Sequence, residues 1–258
     1  MGYARIALSP STHGPRPGDQ PILPMNMHLP LDRADGYFAT ELRDSRAPWV
    51  KPPTPFITLS RESCAGGSGL AQLLAEKLNA EAAPADRWSI FGGNLINRML
   101  QSNHLPEDLA RFLPEDRVPE VNATIGEIVG LHPSLWELVQ KTNETMRRLA
   151  MDGHVILVGR GANYATAGLA GGVHVRLVAP PEHRARYYAE RFHVSEAAAF
   201  AHNAKCDAAR RRYVAAHFNR SVEDPAAYDL VVNTLHVPLA EAAQLVVAHV
   251  RAHAPVAA

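Results

Sequence analysis

One stretch constrains this chain more than any other. Phe56-Ile57-Thr58-Leu59 is an apolar run of strand length. It passes through Ser60-Arg61-Glu62-Ser63-Cys64-Ala65-Gly66-Gly67-Ser68-Gly69 into a segment, 68–78, where Leu70, Leu73, Leu74 and Leu78 share one helical face. A strand that turns through glycines into a helix start makes an anion site. The first amides of the helix have no carbonyl partner, and the helix dipole adds positive potential. Gly66, Gly67 and Gly69 allow a ligand close to the backbone. Ser68 or Ser63 can offer a hydroxyl to a phosphate or to Mg2+. The competing reading is a tight strand-to-helix turn, which also favours glycine.

Set against the phosphate-loop pattern GxxxxGK[ST], Gly66 falls on the second glycine, Arg61 on the first glycine and Gly67 on the lysine. The loop therefore has the place and shape of a phosphate cradle without its usual cation.

The rest of the chain supplies the sheet around this unit. HVILVG (154–159) is apolar throughout, as suits a strand buried on both faces of a parallel sheet. VHVRLVAP (173–180) and YDLVVNT (228–234) read as further strands, and the region near 81–91 as the place of one more. Helical spacing covers 135–151, 182–192, 195–218 and 238–250. Strands alternating with helices predict an α/β fold with a parallel sheet and crossover connections. Residues 87–150 contain no other convincing strand; they read as helices broken by Gly92-Gly93, Pro106, Pro114, Pro119 and Pro133. Residues 1–54 carry Pro10, Pro15, Pro17, Pro21, Pro24, Pro30, Pro48, Pro52 and Pro53 and little periodicity, so they predict a partly ordered arm. The arm offers a means of exchange between subunits of a homodimer.

Composition removes several function classes. The formal net charge is zero, which argues against duplex nucleic acid or an anionic membrane as the main partner. No apolar run nears the roughly 20 residues of a bilayer span. The start, MGYARIALSPSTHG, lacks the apolar core of a secretory signal. Cys64 and Cys206 make no disulfide framework, and the 13 histidines include no HExxH. A cytoplasmic setting is the expectation.

Five blocks, in order, carry a family likeness: SRESCAGGSGLAQLLAEKL, HVILVGRGANYA, HVRLVAPPEHRARYYAERF, DAARRRYVAAHF and YDLVVNT. Together, over 56–250, they resemble the cytidylate kinase-like family, a branch of the nucleoside monophosphate kinases with the P-loop fold. Members often read like ITISREYGSGGREIA at the loop and already lack the lysine. This chain departs further, with Ser68 where the branch has arginine and Gly69 where it has glutamate.

The resemblance implies a phosphotransferase that moves the γ-phosphoryl group of ATP, with Mg2+, to CMP or a related nucleotide. It implies a P-loop type three-layer domain over 55–258, a helical acceptor-binding insertion at about 91–150 and a lid at about 192–212. Arg61, Ala65, Gly66, Gly67, Ser68 and Gly69 would hold the cofactor, with Ser68 on the metal. The GRD motif of cytidylate kinases, whose arginine grips the acceptor phosphate, stands here as Gly159-Arg160-Gly161. The D-x-x-R that meets nucleotide sugar and phosphate matches Asp207 and Arg210. Arg160, Asp207 and Arg210 are the implied substrate-binding residues, and Arg160, Arg184 and Arg210 the catalytic ones. Arg184, Arg186 and Arg191 sit in the region equivalent to the family's lid arginines, which clamp the transferring group, with Arg211 and Arg212 nearby. The alternative is a catalytically impaired nucleotide-binding protein of the same fold with a regulatory or interaction role. A purely structural α/β module is the third reading.

Three of these positions also have a reading free of the family. Arg160 follows an apolar strand, so it emerges at the sheet edge where open α/β folds bind ligands; a structural ion pair is the other option. Asp207 and Arg210 share a helix face at i and i+3, either toward a ligand or as a local pair on a solvated face. Cys64 is a small filler or a thiol at a helix start. His154, His174, His183, Tyr228, Asp229, Asn233 and Thr234 read as structural.

Overall fold

The computed structural model describes residues 53–92 and 135–253. The proline-rich arm, except Pro53 and Thr54, and the helices expected over 93–134 lie outside the described residues.

Among the described residues five strands form one sheet: β1 (Phe56–Arg61), β2 (Ser89–Phe91), β3 (Val155–Val158), β4 (Gly172–Val178) and β5 (Leu230–Asn233). Their order is β2-β3-β1-β4-β5, and every neighbouring pair is parallel. The register aligns Ile57 with both Ile156 and Val173, and Leu177 with Val232. The parallel α/β sheet expected from the alternation of elements is what the chain forms. β1 runs two residues past its apolar part, because Ser60 and Arg61 continue the ladder opposite Arg176 and Leu177.

Among the described residues six α-helices accompany the sheet: α1 (Gly67–Asn79), α2 (Leu135–Asp152), α3 (Ala162–Ala165), α4 (Pro181–Phe192), α5 (Glu196–Phe218) and α6 (Leu239–His253). Strand alternation sorts the side chains between two layers. Ile57 and Leu59 enter one core with Leu70 and Leu74 of α1 and Val246 of α6. Phe56 enters the other with Met146 and Leu149 of α2, Leu157 of β3 and Ala162 of α3. Burying each such large side chain contributes roughly 1.5–3 kcal/mol.

Local chemistry sets the ends of α4 and α5. Pro181 opens α4, where its missing amide hydrogen costs nothing. Ser195 caps α5, its side-chain oxygen accepting from the Ala198 amide at 3.2 Å. Each helix stops at a left-handed residue, His193 and Asn219. Ala185 and Ala189 of α4 meet Ala199 of α5, and such small side chains let the two helices approach closely.

β2 and β3 lie on one side of β1, and β4 and β5 on the other. The chain therefore crosses over β1 between β3 and β4. In an open parallel sheet the crevice for ligands lies at the carboxyl ends of the strands beside such a reversal.

Candidate nucleotide site

The loop after β1 is held in a shape that needs its glycines. Gly66 caps α1 with φ +88°, a left-handed conformation, and a Cβ there would lie 2.8 Å from Leu239. Cys64 is left-handed too, at φ 59°. Gly67 has a different reason. A Cβ on it would come within 2.8 Å of Cγ of Arg61. The stem of Arg61 thus lies against the position from which the pattern's lysine would rise. Gly67, Ser68 and Gly69 head α1, where the helix has no carbonyl for their amides. Among the described residues no side chain caps this end. Ser68 occupies the eighth place of the pattern, its hydroxyl position, and is exposed.

A second set of contacts ties the loop to α4 and α5. The Ser63 amide donates to Oδ1 of Asp207 at 2.7 Å, and its hydroxyl donates to Oδ1 of Asn203 at 2.9 Å. Arg184 donates from Nη1 to Oδ2 of Asp207 at 2.6 Å and to the Ser63 carbonyl at 3.0 Å. Its Nε donates to the Ala179 carbonyl at 2.9 Å and lies 3.4 Å from Glu62. Arg210 reaches Asp207 at 3.2 Å. A buried ion pair keeps its place only when hydrogen bonds satisfy the remaining donors and acceptors, and this one is so surrounded.

At the end of β3 three consecutive residues are left-handed: Gly159 at φ 82°, Arg160 at 59° and Gly161 at 65°. A Cβ on Gly161 would run into the Phe218 ring at 2.4 Å. Arg160 bears a side chain at a φ that disfavours one and is only 6% exposed. Such strain concentrates at functional edges.

A cleft opens between the sheet edge and α5. Its walls include Thr58, Ser60, Arg61 and Glu62 of the first unit, Gly159, Gly161 and Asn163 after β3, and Arg176 of β4. Asp207, Arg210 and Arg211 face it from α5, and Glu223 from the following turn. The structure thus brings Arg61, Asp207 and Arg210 to one cavity and sets Arg160 between two of its glycines. Arg184 is placed otherwise than the lid reading implied. It is buried behind the loop on Asp207 and Ser63, and it is not among the cleft walls. Arg186, Arg191 and Arg212 are exposed, and Arg211 pairs with Glu223 at 3.1 Å. Residues 192–212 are the α4–α5 turn and most of α5.

Arg176 and Asn163 escaped the sequence reading. The signal for Arg176 was a lone charge inside an apolar strand, VHVRLVA. Burial pushes the Cys64 thiol up, against opposing hydrogen-bond and arginine effects. His249 and His253, one helical turn apart, pack their rings 4.1 Å apart on α6. Among the described residues no three potential ligands gather into a metal site. No described helix is long and apolar enough to cross a membrane.

The family model described as the cytidylate kinase-like family matches residues 56–236. The chain belongs to that family. The likeness read from the five sequence blocks is borne out. This cytidylate kinase-like chain also resembles solved structures at low identity. An uncharacterized protein from Eubacterium ventriosum aligns at 16% identity over 77% of this chain and 99% of its own, with a TM-score of 0.57. That likeness supports the fold alone. TT1252 from Thermus thermophilus aligns at 18% identity over 77% of this chain and 98% of its own, with a TM-score of 0.42. A shikimate kinase from Acinetobacter baumannii in complex with shikimate aligns at 12% identity over 77% and 94%, also with a TM-score of 0.42. Comparison with curated proteins finds no match.

Proposed function

We propose that the chain transfers the γ-phosphoryl group of ATP to CMP or a related nucleoside monophosphate, with Arg61 standing in for the missing lysine. The observation that carries this reading is the packing of the Arg61 stem against Gly67. The stem of the arginine at the first place of the pattern lies where the side chain lost from the seventh would begin. Glycine at the seventh place is then a requirement of the arginine.

The residues fit a polyphosphate. The amides of Gly67, Ser68 and Gly69 point out of a 13-residue helix with no side-chain cap. The exposed Ser68 hydroxyl is the protein ligand available to Mg2+, an ion that keeps several waters and takes its remaining ligands from substrate phosphates. When bound, the metal neutralises charge on the transferring group. The chain's own part is positioning and charge. Arg61 and the α1 amides hold the donor side. Arg210 would serve the acceptor side, with Asp207 setting its fork at 3.2 Å, and Arg160 would join it from between Gly159 and Gly161. Closing of α4–α5 over the crevice would exclude water.

One observation favours the second reading, a binding protein without turnover. The Asp207 carboxylate already holds the Ser63 amide of the loop. In that reading the loop donor stays engaged and transfer does not proceed. Coupled ADP release with ATP, Mg2+ and a panel of nucleoside monophosphates separates the two. Turnover that depends on a monophosphate supports the kinase; binding of ATP and CMP by calorimetry without turnover supports the alternative.

A further inference from the structure

We infer that Arg176 anchors an oxyanion subsite in the cleft, one that takes the phosphate group of the acceptor. Arg176 lies in the interior of β4 opposite Ser60 and is 6% exposed. Its Nη1 donates to the Ser60 hydroxyl oxygen at 3.2 Å, and its Cζ stands 5.8 Å from the centre of the Tyr228 ring. Tyr228 in turn gives its hydroxyl proton to the Val222 carbonyl at 2.8 Å. The guanidinium therefore rests on a fixed ring and beside a fixed hydroxyl.

Charge matching sets Arg176 apart from the other cleft residues. Asp207 is held by Arg184 at 2.6 Å and by Arg210 at 3.2 Å. Glu223 is held by Arg211 at 3.1 Å, and Glu62 lies 3.4 Å from Arg184. The acids in the cleft walls are thus already matched. Among the described residues no carboxylate pairs with Arg176.

A buried guanidinium without a counter-charge is costly to keep. It has five N–H donors, and the one hydrogen bond to Ser60 uses only one of them. The planar fork matches two phosphate oxygens at once. Ser60, accepting from Arg176, keeps its own proton to donate. Thr58 and Asn163 add polar groups to the same wall. The matching chemistry is a phosphate oxyanion, carried by the acceptor nucleotide or as free inorganic phosphate.

The inference rests on the cleft being the acceptor site, and its test does not need turnover. The full chain is titrated by calorimetry with inorganic phosphate, CMP and cytidine, and separately with ATP and Mg2+. The wild type is expected to bind phosphate, and to bind CMP at least about tenfold more tightly than cytidine. In Arg176→Met, which keeps apolar packing, phosphate binding is lost and CMP affinity drops to the level of cytidine. The ATP affinity stays within about twofold, which a merely structural role would not leave untouched. Arg176→Lys keeps the charge but not the fork and falls between. Should the Met variant not fold, Ser60→Ala, which removes the hydroxyl beside the fork, is expected to weaken CMP severalfold. The inference is overturned if the Met variant binds phosphate and CMP as the wild type does. It is overturned equally if cytidine binds as tightly as CMP, or if Ser60→Ala leaves CMP binding unchanged. An inactive protein that still binds phosphate through Arg176 sustains the subsite while counting against the kinase.

Discussion

Arg61 and Gly67 make one device from two residues distant in the pattern. The stem of the first fills the space a side chain on the second would need. Losing one well-placed donor to a transition-state oxyanion costs about 10²–10³ in rate, and Arg61→Ala is expected to lose that much in kcat. Gly67→Lys alone would crowd Arg61 and should impair rather than help. The double change Arg61→Gly with Gly67→Lys restores the ordinary order of glycine and lysine. Steady-state kinetics should show it recovering most of what Arg61→Ala loses. His174 offers a different test. Burial holds its pKa below the ordinary value of 6.5, partly opposed by Asp229. The unfolded chain gains this proton at a higher pH than the fold does. Stability is therefore full above about pH 6.5 and falls as pH drops below it. Urea unfolding at about pH 7.5 and about pH 5.5 should show the loss, and His174→Gln should shrink it. His217, also lowered by burial, leaves a remainder.

At the scale of elements, α5 is fastened to the loop through Ser63, Asn203, Asp207 and Arg184. Asp207→Ala leaves Arg184 buried without its main partner and is expected to cost about 3–5 kcal/mol in chemical unfolding. Leu74→Ala, in the core between α1 and the sheet, is expected to cost about 2–5 kcal/mol. Such an element was easier to foresee than such a tie. The leucine spacing of 68–78 and the apolar run at 154–159 declare α1 and β3 from short-range pattern alone. β2 has only three residues, too few for a period, so only its neighbourhood was legible. α3, four residues long after Gly161, left no pattern to read. The i, i+3 spacing puts Asp207 and Arg210 on one face. Nothing in that spacing says that Arg184, 23 residues earlier, and Ser63, 144 residues earlier, already hold the carboxylate. Contacts at that separation depend on the docking of whole helices, which local periodicity does not encode. Arg176 shows the converse. Its misfit in an apolar strand was visible in the sequence, and its meaning needed Ser60 and Tyr228 beside it.

At the scale of the whole molecule, the parallel sheet presents the carboxyl ends of β1 and β3 to α5, and the cleft is the gap between them. Any ligand that bridges the two sides stabilises the folded state by mass action, about 2.7 kcal/mol at a hundred times its Kd. ATP with Mg2+ and CMP together should therefore raise Tm more than either alone. Equal shifts for the pair and for ATP alone would mean that CMP does not bind the ATP-loaded fold. The most direct measurement is single-turnover transfer of labelled γ-phosphate from ATP to CMP by the wild type and by Arg61→Ala. The account predicts labelled CDP from the wild type and a rate about 10²–10³ lower in the variant. It is contradicted if the wild type transfers nothing to any monophosphate, or if transfer proceeds undiminished without Arg61.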